Sequence, residues 1–471
     1  MSVRWRGTGP DVLLELDRGM SESLRSQVQR QLRDAIRANR LAHGERLPSS
    51  RSLAAQLGVS RGVIAESYAQ LESEGYLEPR VGCGTHVARL WSKTPGTVEQ
   101  LNSDEKPAVA RVEVDFEFGV PDIASFPMRD WLWALSAASR QLTTVELGDE
   151  HGSGQAHLRA VVAAYLRRVR ASSVTSDCVV VCPGFRNGLN VVLRALCQIG
   201  IDMVALEDPG PVGHDLISAR SGLRSVAIGV DHDGIDIDAL EASGARAVVV
   251  TPAHQAPTGV LLTSERRARL VDWARRVDGY VIEDDYDAEF RYDKQPVGSL
   301  QGLAPDRVLA MGSVSKTLSP MLRLGWIIPP SALMSAVVTE KFLLGRGAPT
   351  LDQIALALLI ESGRFDRHVR LVRRMYARRR QTLVDALAQH APGIAVSGLA
   401  AGTHAVVHLP SGSERDVVAG CAERSVRVYG MSRYRNDGAT EPAQLVIGFG
   451  TLPQPAIELG VDILGKVIRK L

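Results

Sequence analysis

The sequence predicts a multidomain protein: a small helical unit closed by a Gly-punctuated hairpin, then a larger α/β body with a mostly parallel sheet. Three observations predict it. Apolar residues recur at helical spacing in three short segments within residues 20–88. From residue 113 onward, short β-branched runs alternate with helical stretches, the order that wraps a parallel sheet in helices. Between them residues 91–112 hold Pro95, Gly96 and Pro107 and few large apolar side chains, as a solvated linker does. The expected units are therefore 15–90, a linker 91–112, and 113–471.

Composition bounds the answer. A chain of 471 residues, 45% hydrophobic and 23% charged, builds a large core without disulfides. Its net charge of +2 excludes a polycation, although residues 1–90 carry 13 arginines, no lysine and 10 acidic residues, a mild basic bias compatible with DNA. The cysteines, Cys83, Cys178, Cys182, Cys197 and Cys421, are scattered and form no CxxC pair. That argues against a disulfide scaffold or a zinc site and fits a reducing cytoplasm. Cys178 and Cys182 read as strand residues. The N-terminus lacks the apolar core of a signal peptide, and no apolar run reaches the roughly 18–20 residues of a membrane helix.

In the first unit, Leu24, Val28, Leu32, Ala35 and Ile36 share one helix face. Pro48 stops that helix, and Ser49 or Ser50 caps the next, which carries Leu53, Ala54 and Leu57. Gly58 suits a left-handed C-cap. Ser60 caps a third helix that turns Ile64, Tyr68 and Leu71 inward. Helix, short Gly turn, helix is the arrangement that places its second helix in the major groove with N-terminal residues on base edges. Arg61 and Val63 sit there. Arg46, Ser49, Ser50, Arg51 and Ser60 suit phosphates, which set register but not sequence. Gly82, Gly84 and Thr85 belong to a hairpin wing close to the DNA backbone. The alternative is a small bundle with solvated arginines. The string ERLPSSRSLAAQLGVSRGVIAESYAQLESEGYLEPRVGCGTHV decides between them, because it resembles the winged helix-turn-helix of GntR-type regulators.

In the body, residues 178–182, 203–207, 247–251, 280–284, 308–312 and 324–328 read as strands, and 188–198 and 264–277 as helices. Ligands of such sheets sit beyond the carboxyl ends of the strands, and four motifs fall there. Lys316 lies in Gly312-Ser313-Val314-Ser315-Lys316 with Arg323 downstream, in a chain with only seven lysines. A desolvated lysine amine condenses with a carbonyl, while nearby hydroxyls and a guanidinium hold a phosphate. An apolar strand ends in Glu283-Asp284-Asp285-Tyr286, where a carboxylate can hold a pyridine nitrogen protonated. A metal cluster or plain acidic loop is the alternative, weakened by the absence of a local histidine. His254 and Gln255, before Pro257, can hydrogen-bond a ring substituent. Gly184-Phe185-Arg186 opens a helix whose first amides suit phosphate.

Together these motifs resemble fold-type-I aminotransferases, and more narrowly the MocR subfamily, in which such a body follows a GntR head. TPAHQAPTG, IEDDYDAEFRYD, GSVSKTLSPMLRLGW, GDEHGSGQAHLRAVVAAYLRRVRA and RFDRHVRLVRRMYARRR carry the likeness across nearly the whole chain. The resemblance implies a smaller C-terminal α/β subdomain and pyridoxal 5'-phosphate as cofactor. It implies Lys316 as the aldimine lysine, Asp284 at the pyridine nitrogen, and Tyr286 and His254 near the ring. Ser313, Ser315, Arg323 and the amides of Gly184, Phe185 and Arg186 would hold the phosphate. It also implies a double-stranded DNA operator and a head-to-tail homodimer, with the basic stretch 364–380 as a solvated face flanking the dimer.

The chain departs from the subfamily pattern. Pro211 stands where an aromatic usually stacks on the ring, and Leu147 where a tyrosine is frequent. Phe185-Arg186 replaces small polar residues, and Val446 occupies or adjoins the place of the arginine that clamps a substrate carboxylate. A valine cannot hold a carboxylate, so the expected effector is pyridoxal phosphate itself, in a regulator of its biosynthesis. The alternatives are a regulator sensing an amino acid through the cofactor, a working aminotransferase with a DNA-binding head, and a cofactor-free dimerisation scaffold.

Overall fold

A serine opens each helix of the first unit. The computed structural model describes residues 14–38, 40–80, 84–88, 112–144, 152–292, 297–345, 347–398 and 401–470. The chain divides into two units, Met1–Ala108 and Val109–Leu471. In the first, α1 (Leu24–Arg37), α2 (Ser50–Leu57) and α3 (Arg61–Ser73) begin at Ser23, Ser49 and Ser60, whose side chains accept from the amides of Ser26, Ser52 and Val63. Each cap satisfies an otherwise orphaned helix donor. Gly58 ends α2 at φ +65°, as its sequence position predicts. Strands β1 (Leu77–Arg80) and β2 (Gly84–Val87) pair as an antiparallel hairpin. Val28, Leu32, Leu53, Ile64 and Leu71 are wholly buried between the helices, and the Tyr68 hydroxyl donates to the Pro48 carbonyl at 2.9 Å, tying α3 to the entry of α2. Gly82 and Cys83, the linker 91–111 and Leu147 lie outside the described residues.

The second unit opens with β3 (Val114–Asp115) and α4 (Met128–Gln141), then α5 (Ala156–Arg170). The central sheet follows: β4 (Val180–Cys182), β5 (Met203–Asp208), β6 (Arg224–Asp231), β7 (Gly234–Ile235), β8 (Ala247–Val250), β9 (Tyr280–Asp285), β10 (Val308–Ser313) and β11 (Gly325–Ile328). Its spatial order is β4-β11-β10-β9-β8-β5-β6-β7. The pairs from β10 through β6 are parallel, while β11 runs antiparallel to both neighbours and β7 to β6. Strands β8, β10 and β11 and the first half of β9 are mostly apolar and buried, as a sheet covered on both faces requires. Among the helices on its faces are α6 (Phe185–Gln198) and α7 (Ser264–Arg276). Two boundaries differ from the sequence reading by more than one residue. Residues 176–178 form a 3-10 turn, so Cys178 precedes the strand. Helix α6 starts three residues early because Gly184, at φ +82°, turns the chain directly into it.

The C-terminal part is the expected smaller α/β layer. Strands β12 (Val396–Ser397), β13 (His404–His408), β15 (Tyr429–Gly430) and β16 (Gln444–Gly448) form an antiparallel sheet. One apolar core joins it to the long helix Arg364–His390 and the final helix Gln454–Ile468. The short strand β14 (Val426–Arg427) pairs in parallel with β3, stitching the start of the unit to its end. Gly448 is required here, because a Cβ would meet the Glu117 carbonyl at 2.2 Å. That close approach lays segment 116–119 against β16. No helix among the described residues is long and apolar enough to cross a membrane.

Truncating Ile64 removes a buried side chain from a core too small to collapse around the void. Ile64→Ala should cost about 2–5 kcal/mol. Scanning calorimetry should show the smaller unit's transition fall while that of the larger unit keeps its midpoint.

Candidate functional site

The carboxyl ends of the parallel strands converge on a cavity of about 410 Å³. Register brings the motifs together. Met311 of β10 is opposite Asp284 of β9, so the loop after β10, with Ser313, Ser315 and Lys316, emerges beside that carboxylate. All of these line the cavity, as do Tyr286, Arg323, Gly184, Phe185 and Arg186. Arg323 adopts left-handed φ +51°, a strained conformation that the 3-10 turn Pro320–Leu322 holds.

Burial sets the charges. The Lys316 amine donates to the Gly119 carbonyl. Its pKa lies below the ordinary lysine value because burial penalises the ammonium, an effect that Asp284 and Asp287 oppose. Asp284 is pushed well above the carboxylate range, first by burial and then by Asp285. Its Oδ1 is buried without a hydrogen-bond partner among the described residues. Such an atom is costly unless a donor meets it. The Tyr286 phenol is raised by burial and by Asp287 and Asp284, so it stays protonated. Close to Ser315, α6 presents its first-turn amides behind Gly184, with no side-chain cap to occupy them.

The three acids of β9 have different fates. Glu283 accepts from the Ser299 hydroxyl at 2.5 Å and from the amides of Leu300 and Gln301 at 2.9 and 3.1 Å. Asp284 faces the cavity. Asp285 pairs with the buried Arg170 at 2.6 Å. No metal-ligand cluster appears among the described residues of this strand end, where the sequence left one open; the candidate group of three carboxylate and imidazole ligands is elsewhere, at Asp231, His232 and Asp233.

Two predicted contacts are relocated. His254 stands behind Tyr286 and does not line the cavity. Its Nδ1 lies 2.8 Å from Asp287 Oδ2 and 3.1 Å from the Tyr286 hydroxyl. Gln255 is consumed by its loop: its amide donates to the Pro209 and Ala256 carbonyls at 2.9 Å, and its oxygen accepts from Thr258. The wall position falls instead to Ala256. Sequence reasoning also missed Glu117, Phe118, Gly119, His214, Arg433 and Tyr434, which also line the cavity. His214 and Phe185 place their rings 5.6 Å apart at 35°. Burial, with help from Arg186, lowers the His214 pKa to about 4, so the imidazole is neutral at physiological pH.

In the first unit the predicted residues gather on one side of the structure's charge inventory. Arg25, Arg30, Arg33 and Arg80 form ion pairs with glutamates. Arg46, Arg51 and Arg61 are exposed and ion-pair with no described residue. Ser49 and Ser60 spend their oxygens on the caps, Thr85 reaches Glu72, and Arg46 lies over Gly84.

The arrangement has known counterparts. The model of the bacterial regulatory proteins of the gntR family matches residues 24–87, and that of aminotransferase class I and II matches residues 119–437. The HTH-type pyridoxine biosynthesis transcriptional regulator PdxR of Corynebacterium glutamicum is 32% identical, over 94% of this chain and 95% of its own. The "Probable rhizopine catabolism regulatory protein MocR" of Rhizobium meliloti is 33% identical over 80% of each. The chain belongs to the MocR-type GntR transcription regulators. Like other members of that family it joins a DNA-binding head to an aminotransferase-like body. Among solved structures, an archaeal alanine:glyoxylate aminotransferase shares the fold with a TM-score of 0.68 at 24% identity, covering 76% of this chain and 91% of that one. The α-aminoadipate aminotransferase LysN of Thermus thermophilus matches with a TM-score of 0.67 at 25% identity, over 81% and 98%. The aminotransferase class I and II fold implies dependence on pyridoxal phosphate. The residues fit that group: a buried amine of lowered pKa, a buried carboxylate atom lacking a donor, and free helix amides beside serines and an arginine.

Beside the cavity, Glu207 accepts from the Thr251 hydroxyl and amide at 2.6 and 3.1 Å and from Gln255 at 3.2 Å. Burial raises its pKa from 4.5 to about 7 against the pull of these donors. The folded chain therefore keeps a proton that the unfolded chain releases, and stability is lost as pH rises from 4.5 to about 7. Glu207→Gln keeps an acceptor and removes the titration. Denaturant unfolding should show the variant gaining on wild type across that window, by up to about 3 kcal/mol, with no further change at higher pH.

Proposed function

We propose that the body binds pyridoxal phosphate through Lys316 and that pyridoxal phosphate itself is the effector, in a regulator that controls its biosynthesis from a DNA operator. The observation that carries this reading is Lys316 and Asp284 facing one cavity, each with its charged form disfavoured by burial. When bound, the cofactor supplies an aldehyde that condenses with an amine and an electron-withdrawing pyridine ring.

The chain's own residues prepare that site. Burial favours the unprotonated Lys316 amine, and the Gly119 carbonyl aims it. The orphaned Asp284 Oδ1 can accept from a pyridine N–H. Tyr286 offers a phenol held by His254 and Asp287. Ser313, Ser315, Arg323 and the amides of Phe185 and Arg186 suit a phosphate, whereas the Gly184 amide donates to the Cys182 carbonyl at 2.8 Å. Phe118, Phe185 and His214 narrow the access of water.

Effector identity rests on Val446. It is fully buried and packs with Val406 and Met431, so the usual carboxylate clamp is replaced by an apolar contact. An amino acid is therefore not needed for the response, and transamination lacks its anchor. The 32% identical relative that regulates pyridoxine biosynthesis supports the same reading. For the rest, the proposed organisation is a head 15–90, a linker 91–112 and a body 113–471, working in the cytoplasm as a head-to-tail homodimer. A dimer presents paired heads to repeated half-sites.

Wild-type protein mixed with pyridoxal phosphate should develop an absorbance band near about 420 nm and carry a borohydride-fixed adduct on Lys316. Lys316→Ala should lose both. Operator affinity should respond to the cofactor alone; a response that appears only when an amino acid is added would overturn the effector assignment, and steady turnover of amino donors would favour the enzyme.

At the head, Arg61→Ala should relax base discrimination by about 1–3 kcal/mol. Arg51→Ala should weaken specific and random DNA alike and flatten the salt dependence of binding. Equal behaviour of the two variants in a salt titration would contradict the division between base and phosphate contacts.

A further inference from the structure

The first unit carries an arm ahead of α1, before residue 24 where the match to the gntR family begins. Leu14 is buried in the unit's apolar core, and Leu16 packs against it. Two glutamines one turn apart on α1 grip the arm's backbone as a neighbouring strand would. The Gln27 side chain accepts from the Asp17 amide at 2.9 Å and donates to the Asp17 carbonyl at 2.8 Å. The Gln31 side chain accepts from the Glu15 amide at 3.0 Å and donates to the Glu15 carbonyl. Gln27 is only 1% exposed, so its grip belongs to the core of the unit. The arm then delivers Arg18 to the turn between α2 and α3. Arg18 Nη2 donates to the Gly58 carbonyl at 2.7 Å, across 40 positions. Gly58 closes α2 and stands two residues before Ser60, the cap of α3. The guanidinium is exposed and makes no other hydrogen bond and no ion pair with a described residue. Its neighbouring acid is diverted, since Asp17 Oδ1 accepts from the Gly19 amide at 2.7 Å. Arg25, Arg30, Arg33 and Arg80, by contrast, are matched by glutamates.

We propose that Arg18 is a phosphate contact to double-stranded DNA, held by the arm at the flank of α3 beside the bases that Arg61 reads. One N–H of the planar group is spent on the turn, and the others remain for phosphate oxygens. A guanidinium already anchored at one nitrogen gives up less freedom on binding than a loose surface arginine does. The contact ties the position of the α2–α3 turn to the DNA backbone and adds register without reading sequence. The inference rests on the head binding DNA through α3, and it places a contact outside the matched helix-turn-helix segment. A cation at the carboxyl end of α2 also answers that helix's dipole, a role that needs no DNA. The experiment separates the two roles.

The test uses full-length protein and a fluorescent random-sequence duplex, because a phosphate contact is blind to sequence. Arg18→Gln keeps a donor for the Gly58 carbonyl and removes the charge. At about 50 mM salt it should bind the duplex roughly three- to tenfold more weakly than wild type. The slope of log affinity against log salt should flatten by about 0.9 for each head bound. The thermal midpoint of the smaller unit should stay where it is. If Arg18→Gln lowers that midpoint, Arg18→Lys must restore the wild-type slope for the assignment to stand. Arg51→Ala serves as the reference for a phosphate contact on the head. Arg51→Ala weakened with Arg18→Gln equal to wild type in affinity and slope would leave Arg18 as a cap of α2 and overturn the inference alone. Wild type that binds no duplex would overturn the DNA reading of the head and this contact together.

Discussion

The rest of the body is arranged around one unfavourable situation: an amine and a carboxylate withdrawn from water next to each other without a mutual salt bridge. Asp284 lies in β9 and Lys316 three residues past the end of the neighbouring parallel strand β10, and both face one cavity. Each is biased toward its neutral form by burial and toward its charged form by the other. Such a pair persists only where the scaffold leaves no alternative. Here the flanking acids are committed elsewhere, Glu283 to backbone amides and Asp285 to Arg170, so Asp284 alone remains available to a ligand.

The same logic separates the two halves of the chemistry. Polar groups that hold loops are saturated: Gln255 and Glu207 bind one another and the chain around them. On the cavity wall, by contrast, the Asp284 Oδ1 has no donor among the described residues. In the head some arginines are tied to glutamates, while Arg46, Arg51 and Arg61 are exposed and ion-pair with no described residue.

Much of this was legible in the sequence. Capping serines, the Gly58 turn, the strand-end position of Asp284 and the lysine among small hydroxyls are local signals, readable within a few residues. What stayed hidden is non-local. Gly119 meets Lys316 across 197 positions, and Arg433 reaches the cavity from a short turn with no motif of its own. The partners of His254 were equally hidden, because a histidine in a strand-end loop carries no mark of which way it points; its Nδ1 meets Asp287, three residues beyond Asp284, and the Tyr286 hydroxyl. Ala256 was passed over for the opposite reason, since a methyl group announces no chemistry.

The crossing of segment 116–119 over Gly448 has a further consequence. The chain is clasped at β3 by β14 and within a few residues supplies both the carbonyl that aims Lys316 and a phenylalanine of the cavity wall. A two-residue strand pairing thus helps to set where the amine's acceptor stands.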